Sequence, residues 1–234
     1  MFAMCADPKA LEGLAWMLCY LTSGTHMLFY ASFGTVLGLL AVTAPAALLL
    51  GFLGALAARS PVAPLRWFGT RWVGVVRNCP LTVVLFFFAF GLPEIGINAS
   101  YYAFGVGALV VYTSAFVCEA LRSGINSVGA GQAEAARAIG LPFVLTLREV
   151  ILPQAFRTAV PPLGSVIIAM FKNSAVVGAF GVGRDLFSIG ESLTSAQGFA
   201  ALPVLTGVAL GYLAITLPAG ALLGLIERKV AIAR

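Results

Sequence analysis

Charge is scarce in this chain. Of its 234 residues only nine are acidic and fourteen basic, 10% in all, where soluble proteins carry about a quarter. A soluble domain of this length needs far more polar surface than a chain that is 60% hydrophobic can supply. Lipid must therefore act as solvent for much of it. Histidine is reduced to His26, with no cysteine or carboxylate partner nearby, which excludes a metal site of the usual kind. Cys5, Cys19, Cys79 and Cys118 lack any C-x-x-C spacing and read as unpaired packing residues. No G-x-x-x-x-G-K-[ST] phosphate loop, H-E-x-x-H or G-x-S-x-G occurs, so neither an ATP site nor a catalytic centre is expected on this chain. The basic residues are dispersed singly rather than clustered, which excludes nucleic acid as a partner. A basic leader with a small-residue cleavage site is also missing, so the first span is expected to serve as its own anchor.

What the sequence does have is apolar length. A transmembrane helix needs about 20 apolar residues, and five stretches qualify: Met27–Ala58, Trp72–Leu92, Tyr102–Leu121, Ala159–Phe180 and Phe199–Ile226. The expected fold is an all-α integral membrane protein, one transmembrane domain over 1–234. It comprises an N-terminal interfacial segment (1–26, weakly amphipathic over 9–22), five spans and a polar loop over 123–158 between the third and fourth. Glycine and proline, 26 and 12, are scattered through the spans, where small residues let helices approach closely. Eleven basic residues, among them Arg59, Arg66, Arg71, Arg77, Arg122, Arg137, Arg148 and Arg157, fall on one side of the alternating spans. Only Lys9 and Arg184 fall on the other, and Lys172 lies within span four. The positive-inside rule then puts the N-terminus outside, and the C-terminus and the polar loop in the cytoplasm.

That loop carries the most specific signal. Glu134 to Pro153 reads EAARAIGLPFVLTLREVILP. The alanines favour helix and keep its surface narrow, Gly140 permits a sharp turn, and Pro153 is expected to end a second short helix nearby. The pattern E-A-A, three residues, G, nine residues, I, one residue, L-P resembles the EAA loop of bacterial ABC importer permeases, with Val150 in place of isoleucine. Further segments are similar to the polar amino-acid permeases, and particularly to those of glutamate uptake systems: Arg77-Asn78-Cys79-Pro80-Leu81-Thr82 with the following LFFFAFGLP, YTSAFVCEALRSGINSV, and PPLGSVIIAMFKNSAVVGAFGV. Asn78 and Cys79 replace the Gly-Thr usual there.

The resemblance implies a type I ABC importer transmembrane domain in a bacterial inner membrane. Glu134, Ala135, Ala136 and Gly140 would couple to a cytoplasmic ATPase dimer, with Leu152 and Pro153 holding the second helix. It also implies ATP and Mg²⁺ on that partner, no cofactor on this chain, an extracellular solute-binding protein, and a second five-span permease, a paralogue in the glutamate systems. A nucleotide-independent channel or small secondary transporter working as a homo-oligomer is the rival reading. The docking loop speaks against it, since a channel has no use for one.

Ionisable groups at membrane depth are costly and point to function or to pairing. Lys172, followed by Asn173 and Ser174, either forms a polar cluster near an anionic or zwitterionic substrate or snorkels to an interface. Arg77 and Asn78 either line the inner path or anchor span two at the membrane surface. Glu119 and Arg122, three apart on one helical face, are expected to pair. Arg137 and Arg148 are left with Glu134, Glu149 or a partner's surface as options.

Overall fold

A computed structural model describes residues 26–182, 185–196, 198 and 200–230; the interfacial segment expected over 9–22 lies outside them, as does Arg184. Among the described residues every regular element is helical. Helix α1 (His26–Ala58) runs through Pro45. Then come α2 (Ala63–Arg77), α3 (Leu81–Glu94), α4 (Tyr101–Asn126), the short α5 (Ala130–Ala138), α6 (Phe143–Phe180), α7 (Leu186–Glu191) and α8 (Ala201–Val230). Four of them, α1, α4, α6 and α8, are long and apolar enough to cross a membrane, and α2 with α3 makes a fifth if counted together.

Two expectations about continuity need correction. Trp72–Leu92 is not one rod: α2 and α3 are separate helices whose axes turn by 106° at residues 78–80. Pro80 has no N–H to give and disfavours helix at the residue before it, so the chain must break there. Asn78 closes the end of α2 by donating from Nδ2 to the Gly74 carbonyl at 2.8 Å. Its φ of −91° is an ordinary right-handed value, so this position does not require the glycine that Asn78 replaces.

The second correction concerns Pro153, which does not end a short helix. The helix continues through it, and the helix that carries span four begins at Phe143, ahead of the apolar stretch Ala159–Phe180. Immediately before Pro153 the backbone widens into a π-helical turn, Thr146–Ile151, and a second such turn, Phe87–Gly91, directly precedes Pro93. A wider turn relieves the clash between the pyrrolidine ring and the preceding turn's carbonyl, so the proline is absorbed without a break.

The chain divides into two compact units. Of the described residues, one comprises those within 26–43, 82–109 and 171–218; the other comprises those within 44–81, 110–170 and 219–230. In the first, Asp185 is only 3% exposed and caps α7, accepting from the Phe187 and Ser188 amides at 3.2 and 3.1 Å. The Tyr212 hydroxyl of α8 reaches the same carboxylate at 3.3 Å. Phe86 meets Phe180 edge to face, with ring centroids 4.8 Å apart. The second unit packs Ala55 of α1, Val73 of α2 and Cys118 of α4 into one buried cluster flanked by Trp72 and Leu121.

Small residues set the helix spacing in this second unit. A Cβ on Gly124 would lie 2.6 Å from the Ala159 Cβ and 2.8 Å from the Ala155 carbonyl oxygen, so α4 and α6 touch through backbone. The Thr158 hydroxyl donates to the Gly124 carbonyl at 3.0 Å, and Ser127 to the Thr158 hydroxyl at 2.8 Å. Gly124→Ala should therefore destabilise the protein by about 1–3 kcal/mol, the usual range for overpacking. Gly131→Ala, where a Cβ meets nothing within 4 Å, should leave it intact. Thermal unfolding of the two variants in detergent measures the difference, and equal midpoints would contradict the close approach.

Candidate functional site

The polar loop is the best-defined candidate. Helix α5 ends in a Schellman arrangement: the Leu141 amide donates to the Ala136 carbonyl at 3.1 Å and the Gly140 amide to the Arg137 carbonyl at 2.9 Å. This closure requires a left-handed residue, and Gly140 supplies it with φ +83°. Thr146, buried, then fastens the start of α6: its amide donates to the Pro142 carbonyl at 2.9 Å and its hydroxyl to the Leu141 carbonyl at 3.3 Å. Ala136 is buried where α5 packs against the Thr146–Ile151 turn, while Glu134 and Ala135 are exposed.

The turn holds large apolar side chains out of the fold. Ile139 is 78% exposed, Phe143 77% and Val144 68%. A rigid turn that displays three such side chains beside a narrow alanine-faced helix has the character of a protein interface. Residue-type reasoning missed these three, although their grouping around Gly140-Leu141-Pro142 is visible in the sequence. Leu152 points elsewhere, into an apolar cavity of about 200 Å³ shared with Phe52, Leu56, Ile125 and Phe156, and Pro153 is exposed. Arg148 pairs with Glu149 at 3.4 Å on the open surface, and Arg137 donates to the Ala133 carbonyl at 3.3 Å.

Glu119 does pair with Arg122, whose Nε donates at 2.9 Å. The same carboxylate also holds Arg77 at 3.3 Å, and the Arg77 guanidinium stands 5.8 Å from the centre of the Phe116 ring. Two cations thus share one carboxylate and tie the end of α2 to α4. Arg77 and Asn78 belong to the second compact unit, Lys172, Asn173 and Ser174 to the first. The last three do not form one cluster: successive helical residues point about 100° apart, and Lys172 is exposed whereas Ser174 is buried with its hydroxyl on the Phe171 carbonyl at 2.7 Å. Among the described residues Lys172 has no carboxylate within ion-pair distance. Asp185, the buried carboxylate of the first unit, was not singled out from sequence. The readable signal was an Asp directly ahead of a short apolar run with Ser188 three residues on.

Residues 47–232 match the family described as the binding-protein-dependent transport system inner membrane component. The chain belongs to this family. A probable glutamine ABC transporter permease protein, GlnM of Bacillus subtilis (strain 168), is 40% identical over 71% of this chain and 76% of its own length. The glutamate transport system permease protein GluC of Corynebacterium glutamicum is 38% identical over 74% of this chain and 81% of its own. Among solved structures, the crystal structure of an amino acid ABC transporter with histidines superposes with a TM-score of 0.85 at 32% identity, covering 94% of this chain and 99% of that one. The fold is that of a type I ABC importer transmembrane domain. As an ABC permease component the chain has no ATPase of its own; hydrolysis is carried by a separate partner.

The turn geometry sets a graded test. Gly140→Val puts a β-branched residue into the left-handed region at a cost of about 1–2 kcal/mol or more. Gly140→Asn, which that region tolerates better, should cost less. ATPase activity stimulated through this subunit should fall about tenfold for valine, if that cost is all taken from coupling, and less for asparagine, at equal membrane insertion. Valine and asparagine variants that both couple normally would remove the turn from the coupling path.

Proposed function

We propose that this chain, acting as one permease domain over 1–234, is a transmembrane subunit of an ATP-driven importer that carries a polar amino acid, glutamate, across a bacterial inner membrane. The observation that carries this reading is the loop from Ala130 to Leu152: a short helix closed by Gly140 that displays Ile139, Phe143 and Val144, in a member of a transport-component family. Glu134, Ala135, Ala136 and Gly140 dock in the cytoplasmic ATPase, and Leu152 and Pro153 secure the base of the loop. The N-terminus is outside and the C-terminus cytoplasmic, a reading supported by the eleven basic residues on one side.

Five spans are few to enclose a path, so a second five-span permease, a paralogue, completes it. Each permease offers one loop to one subunit of an ATPase dimer that holds ATP and Mg²⁺. Closure of that dimer moves both loops and biases the spans toward an outward-open state, to which a solute-binding protein delivers substrate. Lys172 is the group best placed to favour an acidic substrate, since it is exposed with no carboxylate partner among the described residues. Asn173 and Ser174, next along the helix on other faces, are assigned to the path with it, as are Arg77 and Asn78. The relatives' names include glutamine, glutamate and arginine, and within that set the charge on Lys172 favours the acidic substrate, glutamate.

Two measurements test this. Lys172→Met, which keeps much of the side-chain length, should reduce glutamate uptake about tenfold while changing glutamine uptake little, with ATPase assembly intact, a loss equivalent to about 1.4 kcal/mol. Equal glutamate transport at matched expression would remove Lys172 from the path. For orientation, with native cysteines replaced, Ser195→Cys should react with an impermeant thiol reagent added to intact cells and Ser127→Cys only after lysis; both positions are exposed. The reverse pattern would invert the topology.

A further inference from the structure

Beside the transport machinery the second unit contains an apolar groove of about 770 Å³, between the last turns of α1 and the amphipathic helix α2. Its walls are Leu50, Leu53, Leu56, Leu65, Phe68 and Trp72. This volume lies within the range of small-molecule sites, about 300–1,000 Å³, yet its lining cannot serve an amino acid. It has no carboxylate to take an ammonium group, and the Ser60 hydroxyl already accepts from the Val62 amide at 3.1 Å.

Charge is confined to one end. Arg59 lines the groove beside Ser60 and Pro61. Arg66 is held to that same end, donating from Nη1 to the Ser60 carbonyl at 3.1 Å and the Pro61 carbonyl at 3.5 Å. Asn126 engages one nitrogen of Arg59, and the rest of both guanidinium groups keeps free donors. Neither arginine has a carboxylate partner among the described residues, and the sequence has no Asp or Glu between Glu12 and Glu94. Trp67 is exposed on the same helix, and tryptophan sits at the level of lipid headgroups.

An apolar trough that ends in two uncompensated guanidinium groups has the chemistry of an anionic amphiphile's partner. We propose that this groove binds an anionic phospholipid, with an acyl chain along Leu50, Leu53, Leu56 and Phe68 and the phosphate at Arg59 and Arg66. Basic pockets beside transmembrane helices on the cytoplasmic side take acidic headgroups in this way, and guanidinium matches phosphate geometry. The site is independent of which solute is carried. A lipid wedged there would brace α2 against α1, next to the Arg77–Glu119 pair that fixes the far end of α2.

The experiment uses the full-length chain with its co-purifying subunits, extracted in mild detergent and exposed to dioleoyl phosphatidylglycerol or dioleoyl phosphatidylcholine, with retained lipid read by native mass spectrometry. The unmodified protein should retain phosphatidylglycerol preferentially. At about 1 kcal/mol per basic residue near a membrane surface, Arg66→Gln should weaken retention about fivefold, and Arg59→Gln with Arg66→Gln about 25-fold. Leu53→Trp should fill the groove and abolish retention without changing charge. Arg228→Gln, an equal loss of charge outside the groove, should have no effect. If Arg59 variants fail to assemble through loss of the Asn126 bond, Arg66→Gln and Leu53→Trp decide the matter. Lack of preference for phosphatidylglycerol, an equal loss with Arg228→Gln, or retention unaffected by Leu53→Trp would overturn the proposal. So would cross-linking of Leu53→Cys to a second permease chain, since a polypeptide would then occupy the groove.

Discussion

A backbone amide or carbonyl in the hydrocarbon core has no water to turn to, so each must find its partner within the protein. That requirement governs how every interruption in these helices is built. Where the chain breaks, at residues 78–80, the Asn78 side chain returns to the Gly74 carbonyl and closes the helix end. Ahead of Pro93 and Pro153 a π-helical turn comes first, at Phe87–Gly91 and at Thr146–Ile151, whereas Pro45, Pro161, Pro162 and Pro218 are carried within α-helix. Outside the spans, where water is available, α5 still closes on itself: Gly140 and Leu141 return their amides to carbonyls of its last turn. Threonine and serine hydroxyls such as Thr43, Thr158 and Ser174 donate to carbonyls of their own or a neighbouring helix for the same reason.

Buried charge obeys the same rule with a higher penalty. Asp185 is tolerated in the first unit because two amides and the Tyr212 hydroxyl converge on it. In the second unit Glu119 serves two arginines from different helices, and among the described residues removing it would leave Arg77 with the face of Phe116. At partial exposure such pairs contribute modestly to stability. Their larger effect is positional: the end of α2 is pinned to α4, so the bend at residues 78–80 starts from a fixed point.

The second unit also contains three features linked through its helices. The apolar cluster of Ala55, Val73 and Cys118 seats α2 on α1 and α4; α4 contacts α6 through Gly124; and α6 begins at the loop with its exposed apolar tip. From that tip the helix is continuous from Phe143 to Phe180, with no break at Pro153.

The membrane class, the five apolar stretches, the site of the polar loop and the Glu119–Arg122 pair all followed from the sequence, because each depends on local composition or on spacing within one helix. So did the turn at Gly140, since only one residue type enters the left-handed region without strain. What required tertiary structure was of another kind. Whether a proline bends, breaks or passes depends on where neighbouring carbonyls can go, and Pro80 and Pro153, alike in sequence, behave oppositely. The Asp185–Tyr212 contact joins residues 27 apart, and Arg77 finds Glu119 across 42 positions. The groove between α1 and α2 exists only because the two helices fold back on each other. No periodicity in a single helix encodes a partner on another, and the packing that selects these contacts is fixed by small residues such as Gly124, whose role depends on what lies across from them.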